Sequence, residues 1–579
     1  MRNCTIGTRF IIPVIWGITI ALGGCQTSDG PQRPNVILVI TDDQGYGDIG
    51  AHGNPAIRTP VLDRLHDESV RLTDFHVDPT CSPTRSALLT GRYSTRTGVW
   101  HTIMGRSLMA PEEVTLAELF AGAGYRTGMV GKWHLGDNYP LRPQDQGFEE
   151  AFYHPAGGVG QGPDYFGNDY FDDTYVRNGV LEETQGYVTD VWFDDALRFV
   201  EEHQDEPFFL YLATNAPHGP YFVEEEYAAP YREMGFPDVM ARFSGMVTNI
   251  DDNMGRLLAQ LDSLELSENT LLIFMTDNGS AEGWANWRGQ EGTWEGFNVG
   301  MRQGKGSEYD GGHRVPFFLR WPAAGYVGSR EVDALTAHID VLPTLAELCD
   351  LPVPADLDGV SLVPLLHGEE QPGRTLIVHS QRVPYPIQWR KSAVMTERWR
   401  LVNQDELYDI QEDPGQENDI AEQFPEVVDE LRAAYEQWWD HLTPSFDGYV
   451  RIGLGADAEN PVALNPHDWH VVDQSQSVWN HRQVENGMMG NGYWAVEVVE
   501  SGRYTFELRR WPEHMDKPLE STEARIKVGD QEARMEVTED QTTAMFAFDL
   551  VAGPTTVQTW LVQPDGQERG AYFVYAERE

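Results

Sequence analysis

The chain has 579 residues, enough for two or more domains, each with its own core. Its 42 Lys+Arg stand against 91 Asp+Glu, a formal net charge of −49, which argues against nucleic acid and against non-specific binding to anionic polymers. An enzyme of this charge that handles an anion needs a local pocket of Arg, Lys and His inside an acidic, solvating shell.

The first predicted element is a targeting segment. Arg2 and Arg9 flank the start of an apolar run from Phe10 to about Leu22. That run is well short of the roughly 20 residues of a membrane-spanning helix, so residues 1–24 read as a signal peptide. Leu22-Gly23-Gly24-Cys25 resembles a bacterial lipobox, which implies a lipidated Cys25 and, with Gln26 after it, an exported lipoprotein of the outer membrane or periplasm. A plain secretory signal cleaved nearby has the same small residues and would leave the protein secreted. Polar residues 25–33 form a tether. Of the four cysteines, Cys4 leaves with the signal and Cys25 takes lipid, so Cys81 and Cys349 offer no disulfide framework and no zinc-type spacing.

Val36–Ile40 is a continuous β-branched run, as in a strand covered on both faces, and Thr41-Asp42-Asp43 follows it. Pro60–Val70 has helical spacing of apolar residues. Next comes Cys81-Ser82-Pro83-Thr84-Arg85, continuing as Ser86-Ala87-Leu88-Leu89-Thr90-Gly91-Arg92. Proline suits the first turn of a helix, so Cys81 stands at a helix mouth, where unpaired N–H groups favour an anion and would lower a thiol's pKa. Tyr125–Val130 leads into Gly131-Lys132-Trp133-His134, and Phe208–Leu212 leads into Asn215-Ala216-Pro217-His218. Taken singly, Lys132 reads as solvated and each histidine as structural; their common place after apolar strands reads as a site.

Val188–Glu202 and Arg242–Leu264 are further helices, and Ala156–Asp173 is a loop over the same edge of the sheet. Leu271–Met275 repeats the opening arrangement, an apolar strand followed by Thr276-Asp277-Asn278-Gly279. Ligands in open α/β sheets bind beyond the carboxyl ends of the strands. Asp42, Asp43, Asp277 and Asn278 suit a hard ion such as Ca2+ or Mg2+ and not zinc. One acidic pair alone would be a turn or a cap. The loop Gly279–Gly306 carries Trp284, Trp287 and Trp294, which either stack on sugar rings or pack against each other. Arg302-Gln303-Gly304-Lys305 and Asp310-Gly311-Gly312-His313-Arg314-Val315-Pro316 come next, then a helix over Ala337–Leu348.

From residue 392 to His441 short strands precede a helix. Beyond about 443, short strands such as Trp494–Val499, Tyr504–Leu508 and Met545–Leu550 alternate with Gly and Pro turns, the pattern of an all-β sandwich. Trp479, Trp494 and Trp511 there either bind carbohydrate or fill the core. The predicted fold is therefore α/β: a doubly wound, mostly parallel sheet flanked by helices (34–390), a small C-terminal α+β subdomain (391–442) and an appended all-β sandwich-like domain (443–579).

The Cys-x-Pro-Thr-Arg stretch with its Leu-Thr-Gly-Arg continuation, the two strand ends, Gly131-Lys132-Trp133-His134 and Gly311-Gly312-His313-Arg314-Val315-Pro316 together resemble the formylglycine-dependent sulfatases, arylsulfatase-like members of the alkaline phosphatase superfamily. The resemblance implies that a formylglycine-generating enzyme converts Cys81 to formylglycine. It further implies that Asp42, Asp43, Asp277, Asn278 and residue 81 hold a divalent ion, usually Ca2+. Hydrated formylglycine would attack the sulfur of a sulfated carbohydrate. Arg85 and Lys132 would hold its hydroxyls, Lys305 and His218 the sulfate, His218 would protonate the leaving oxygen, and His134 would take the second hydroxyl's proton. Two other readings stand beside it: a phosphomonoester, phosphodiester or phosphonate hydrolase of the same superfamily, and a catalytically dead polysaccharide-binding lipoprotein. Any membrane contact would be through the lipid anchor only.

Overall fold

The structure, a computed structural model, describes Met1 and residues 33–283, 296–370, 372–472 and 475–579. The expected signal peptide, most of the tether, Cys25, and Trp284, Trp287 and Trp294 lie outside these residues. Among the described residues no helix is long and apolar enough to cross a membrane.

Five parallel strands form the middle of a ten-stranded sheet. Their spatial order is Thr270–Thr276, Asn35–Thr41, Phe208–Ala213, Arg126–Lys132 and Glu150–His154. Antiparallel strands flank them, Phe317–Arg320 on one side and Thr174–Arg177 on the other. Side chains alternate across a strand, and here both faces are covered. Val36, Leu38 and Ile40 join one core with Leu88, Leu89, Phe120 and Leu342, while Ile37 and Val39 join another with Leu62, Trp192, Phe193 and Ile250. This double burial is why the strand reads as a continuous apolar run.

The helices largely follow the periodicity. Val188–Glu202 is as predicted, and Asp238–Ser263 starts four residues before the expected Arg242. The helix from Pro60 stops at Glu68, because Ser69 is extended and Val70 pairs with Leu319 as a strand.

Leu376–His379, Ser392–Met395, Trp399–Val402 and Glu406–Asp409 make an antiparallel sheet packed on the helix Pro425–Leu442. The remainder is all β. A sheet containing Gly492–Val498, Gly553–Val562 and Glu523–Val528 faces one containing Gly502–Arg509, Ala544–Leu550 and Phe573–Arg578. Tyr504, Phe506 and Leu508 point into the core between them while Thr505 and Glu507 do not. Of the two readings for the tryptophans of this part, the core one holds for two: Trp494 is fully buried with Nε1 donating to Asn465 O at 2.7 Å, and Trp511 is buried in the same core.

Candidate active site

Strand register assembles the site. Thr41 pairs with Thr276 on adjacent parallel strands, so Asp42-Asp43 and Asp277-Asn278 leave the sheet side by side. On the other flank Ile40 pairs with Ala213, and Ala213 with Gly131, which brings Lys132 alongside. The helix Cys81–Thr90 begins after an extended Thr80, with Cys81 at its first position as the proline predicted.

The contacts interlock. Cys81 Sγ lies 3.5 Å from Asp42 Oδ1 and 4.0 Å from Asp43 Oδ1. Lys132 Nζ donates to Asp42 Oδ2 at 2.6 Å, and both side chains are fully buried. Arg85 donates through Nη2 to Asp277 Oδ2 at 2.9 Å and through Nη1 to Lys132 O at 3.1 Å. Lys305 Nζ sits 2.5 Å from Asp43 Oδ1 and 3.5 Å from Cys81 Sγ, and His218 Nε2 sits 3.7 Å from Asp43 Oδ2. Asp43 and His134 hold left-handed backbones, φ 68° and 62°, that non-glycine residues seldom adopt. Asp43 is fixed there by its N–H, which donates to Asp277 Oδ1 at 3.0 Å. Gly157 must be glycine, since a Cβ there would lie 2.3 Å from the His134 ring.

Burial dominates the titration of the site, and neighbouring charges then divide the residues. It drives Asp42 well above the ordinary carboxylate range, reinforced by Asp277 and opposed by Lys132. The burial of Asp43 is outweighed by Lys305 and His218, and that of Asp277 by Arg85 and Lys132, so both stay below it. Lys305 is raised despite its burial because Asp43 faces it. The expectation for the Cys81 thiol is corrected: burial pushes it up to about 12, outweighing Lys132 and Lys305 as well as any help from the helix mouth. Such a thiol is not a ready nucleophile at neutral pH.

Burial, then Lys305, lowers His218 to about 3, and its Nδ1 hydrogen donates to Gly219 O at 2.6 Å. Burial, then Lys132, lowers His134 as well. His134 Nε2 donates to Thr102 O at 2.9 Å, which leaves a buried, unpartnered lone pair on Nδ1.

The donors fit a hard divalent ion. Ligand atoms of Asp42, Asp43, Cys81 and Asp277 all lie within 4.8 Å of one another. Asn278 gives its amide hydrogens to Asp43 Oδ1 and Gly279 O, while its Oδ1 is buried without a partner. A buried oxygen left unpaired beside three carboxylates is what a cation would satisfy. A second cluster, Asp74, His76 and Asp310, does not fit an ion, because the Arg400 guanidinium already bonds both carboxylates.

A pocket of about 300 Å³ opens onto Cys81, His134, His218 and Lys305. Among the described residues no carboxylate lines it, so it is the local cationic pocket expected inside the acidic shell. His101, Gln161 and Arg382 also line it, and none of the three is marked in the sequence by a strand end or a spaced motif. Trp479, from the all-β part, lines it too. His313 stays outside the site, buried against His76 and Glu308 O.

A family profile described as Sulfatase matches residues 34–351, and one described as N-sulphoglucosamine sulphohydrolase, C-terminal, matches residues 304–439. The chain is 31% identical over 504 residues to arylsulfatase A of Bos taurus, covering 77% of this chain and 95% of the relative. It is 30% identical over 517 residues to N-acetylgalactosamine-6-O-sulfatase of Bacteroides thetaiotaomicron, covering 74% and 98%. A crystal structure of Ps i-CgsB in complex with k-i-k-neocarrahexaose superposes with a TM-score of 0.63 at 28% identity, covering 70% of this chain and 93% of that one. With over half its length matched by the profile, and with Cys81, the paired strand ends and the cationic pocket brought together by the fold, the chain belongs to the sulfatase family.

Proposed function

We propose that this sulfatase removes sulfate from sulfated carbohydrate, with residue 81 as nucleophile and Asp42, Asp43, Asp277 and Asn278 as ligands of a divalent ion. The observation that carries the reading is the convergence on Cys81 Sγ of Asp42, Asp43 and Lys305, inside a pocket that also presents His134 and His218. The all-protein oxygen set favours Ca2+ over Mg2+, which keeps more of its own water. Carbohydrate is the substrate class named for two relatives, N-acetylgalactosamine-6-O-sulfatase and the neocarrahexaose complex.

When bound, the ion acidifies a hydroxyl and draws charge from sulfate oxygens, and formylglycine at position 81 offers a hydrated aldehyde with one hydroxyl to attack and a second to expel the product. The protein's own groups do the remainder. Arg85 keeps Asp277 ionised, and Lys132 aligns Asp42 while its charge opposes the burial that raises that carboxyl. Lys305 neutralises the sulfate, whose oxygens otherwise repel a nucleophile. His218, neutral in the free pocket, gains proton affinity once an anionic sulfate stands beside it and can then protonate the leaving oxygen. His134, neutral with a free Nδ1 lone pair, is in the form that accepts a proton from the second hydroxyl.

The test is sulfate release from a panel of algal and animal glycans by wild type beside Cys81→Ala, with nitrophenyl sulfate and nitrophenyl phosphates as small substrates. Sulfate release lost in Cys81→Ala supports the reading, and mass spectrometry of the peptide spanning position 81 should find formylglycine. Faster turnover of the phosphates would assign the phosphoester alternative instead. Glycan binding without any release would assign the dead lipoprotein. Export as a lipoprotein through Cys25 predicts palmitate labelling that Cys25→Ala abolishes; an unlabelled protein in the medium would mean plain secretion.

A further inference from the structure

The all-β part is built into the pocket wall. Gly162 N donates to Trp479 O at 2.8 Å, His481 N donates to Gly160 O at 2.9 Å, and Gln161 forms a β-bridge with Asn480. These bonds strap the 156–173 loop to the segment that carries Trp479. The 101–106 loop is held in the same way: Met104 N donates to His467 O at 2.8 Å, and a Cβ on Gly105 would lie 2.7 Å from the His470 ring. Trp479 is only partly buried, and its own backbone N–H is pinned by Gln483 Oε1 at 2.8 Å.

Arg382 completes this wall from the small antiparallel subdomain. Its backbone is left-handed, φ 42°, and its N–H donates to Trp100 O at 3.3 Å. The Gln381 side chain ties the loop beneath it, accepting from Ile387 N at 2.7 Å. The guanidinium lies near Gly306, next to Lys305, and its charge helps burial lower neighbouring His101 to about 3. His101 Nδ1 accepts the N–H groups of Thr102 and Ile103, which leaves the ring proton on Nε2. Most arginines of this acidic chain carry a carboxylate partner, as Arg71, Arg96 and Arg177 do. Among the described residues Arg382 has none, although it stands on the rim of the site that must attract an anion.

We propose that Trp479 and Arg382 form a second substrate subsite beside the sulfate pocket. In it the indole stacks on a sugar ring and the guanidinium pairs with a second anionic group of the same glycan, a sulfate ester or a uronate carboxylate. The inference rests on the sulfatase reading and narrows its substrate to multiply charged oligosaccharide. Planar, two-point pairing of guanidinium with sulfate or carboxylate, together with stacking on an aromatic face, is the chemistry those two side chains offer. His101 and Gln161, which line the same pocket, add hydrogen-bonding groups for sugar hydroxyls.

The test uses the full, matured chain. kcat and KM are measured for nitrophenyl sulfate, for a disaccharide bearing only the scissile sulfate, and for two matched disaccharides with an added sulfate or an added carboxylate on the neighbouring ring. Wild type should favour at least one doubly charged substrate by about tenfold in kcat/KM, mainly through KM. The better of the two arms names the anion. Arg382→Ala should erase that preference and Arg382→Lys should restore part of it. Trp479→Ala should raise KM for every disaccharide about tenfold more than for nitrophenyl sulfate, and Trp479→Phe should raise it less. No preference in wild type, or equal losses on all substrates in Arg382→Ala, overturns the proposal. If no substrate releases sulfate, the sulfatase reading has failed, and calorimetric binding of the doubly sulfated and uronate disaccharides still decides the subsite. Weaker binding by Arg382→Ala than by its parent upholds it; equal binding overturns it.

Discussion

Arg400 offers the sharpest test of how the small subdomain positions the site. Its guanidinium is fully buried and donates to Asp74 at 3.1 and 3.3 Å, to Asp310 Oδ1 at 3.2 Å and to the carbonyls of Thr396 and Trp399. Asp74 lies a few residues before Cys81, and Asp310 a few residues after Lys305. One side chain thereby ties down both chain segments that converge at Cys81. Arg400→Met keeps the volume and removes the charge, which leaves two buried carboxylates without their main partner and should cost about 3–5 kcal/mol. The melting temperature should fall by roughly 3–4 °C, because a chain this long shifts by only about 1 °C per kcal/mol.

The pH dependence of that loss carries the reasoning. In wild type, burial raises both carboxylates, but Arg400 and then His76 outweigh it and hold them below the ordinary value of 3.8. Their contribution is therefore present above the unfolded pKa and is lost only as pH falls through the folded one. Without Arg400 burial dominates, the folded pKa values rise above the unfolded ones, and the ionised forms are penalised increasingly as pH rises. The gap in melting temperature between wild type and Arg400→Met, read by differential scanning fluorimetry, should thus be widest near pH 8 and shrink towards pH 5. A variant that melts within about 1 °C of wild type, or a gap that does not change with pH, would refute the argument.

Three further outcomes follow from the same groups. Lys132→Met should lower kcat/KM by roughly 10²–10⁴, since it strands Asp42 beside Asp277 and removes a charge that aligns the nucleophile; steady-state assay on nitrophenyl sulfate reads this. Chelation should abolish activity and lower the melting temperature, and a cation at about 100 times its Kd should restore roughly 2.7 kcal/mol, with Ca2+ effective below the concentration Mg2+ needs. Asp48, fully buried, is pushed up to about 7 by burial despite hydrogen bonds from Ser280 and Gly45. A raised carboxylate pKa makes the folded state lose stability as pH rises from about 4 to 7, so Asp48→Asn should flatten that part of the thermal-stability profile.

The sequence by itself determined the local units. An apolar run that stops at oxygen ligands, as at Asp42-Asp43 and Asp277-Asn278, is legible because strand and strand end are neighbours in the chain. Cys81 at a helix start is legible because proline is confined to the first turn. The alternation of Tyr504, Phe506 and Leu508 likewise declared its buried face. Depth and convergence were not legible. Trp479, Trp494 and Trp511 are chemically alike in the sequence, and only packing put two in a core and one on the wall of the pocket. The thiol of Cys81 moved opposite to its expected direction because desolvation, a property of the whole fold, exceeds the pull of nearby cations. His101 and Arg382 had no local signal, and for Gln161 the sequence placed only the loop that carries it, since all three reach the site from loops whose positions depend on contacts with distant segments. The register of Thr41 against Thr276, which no stretch of sequence contains, turned two separate acidic strand ends into one candidate metal site.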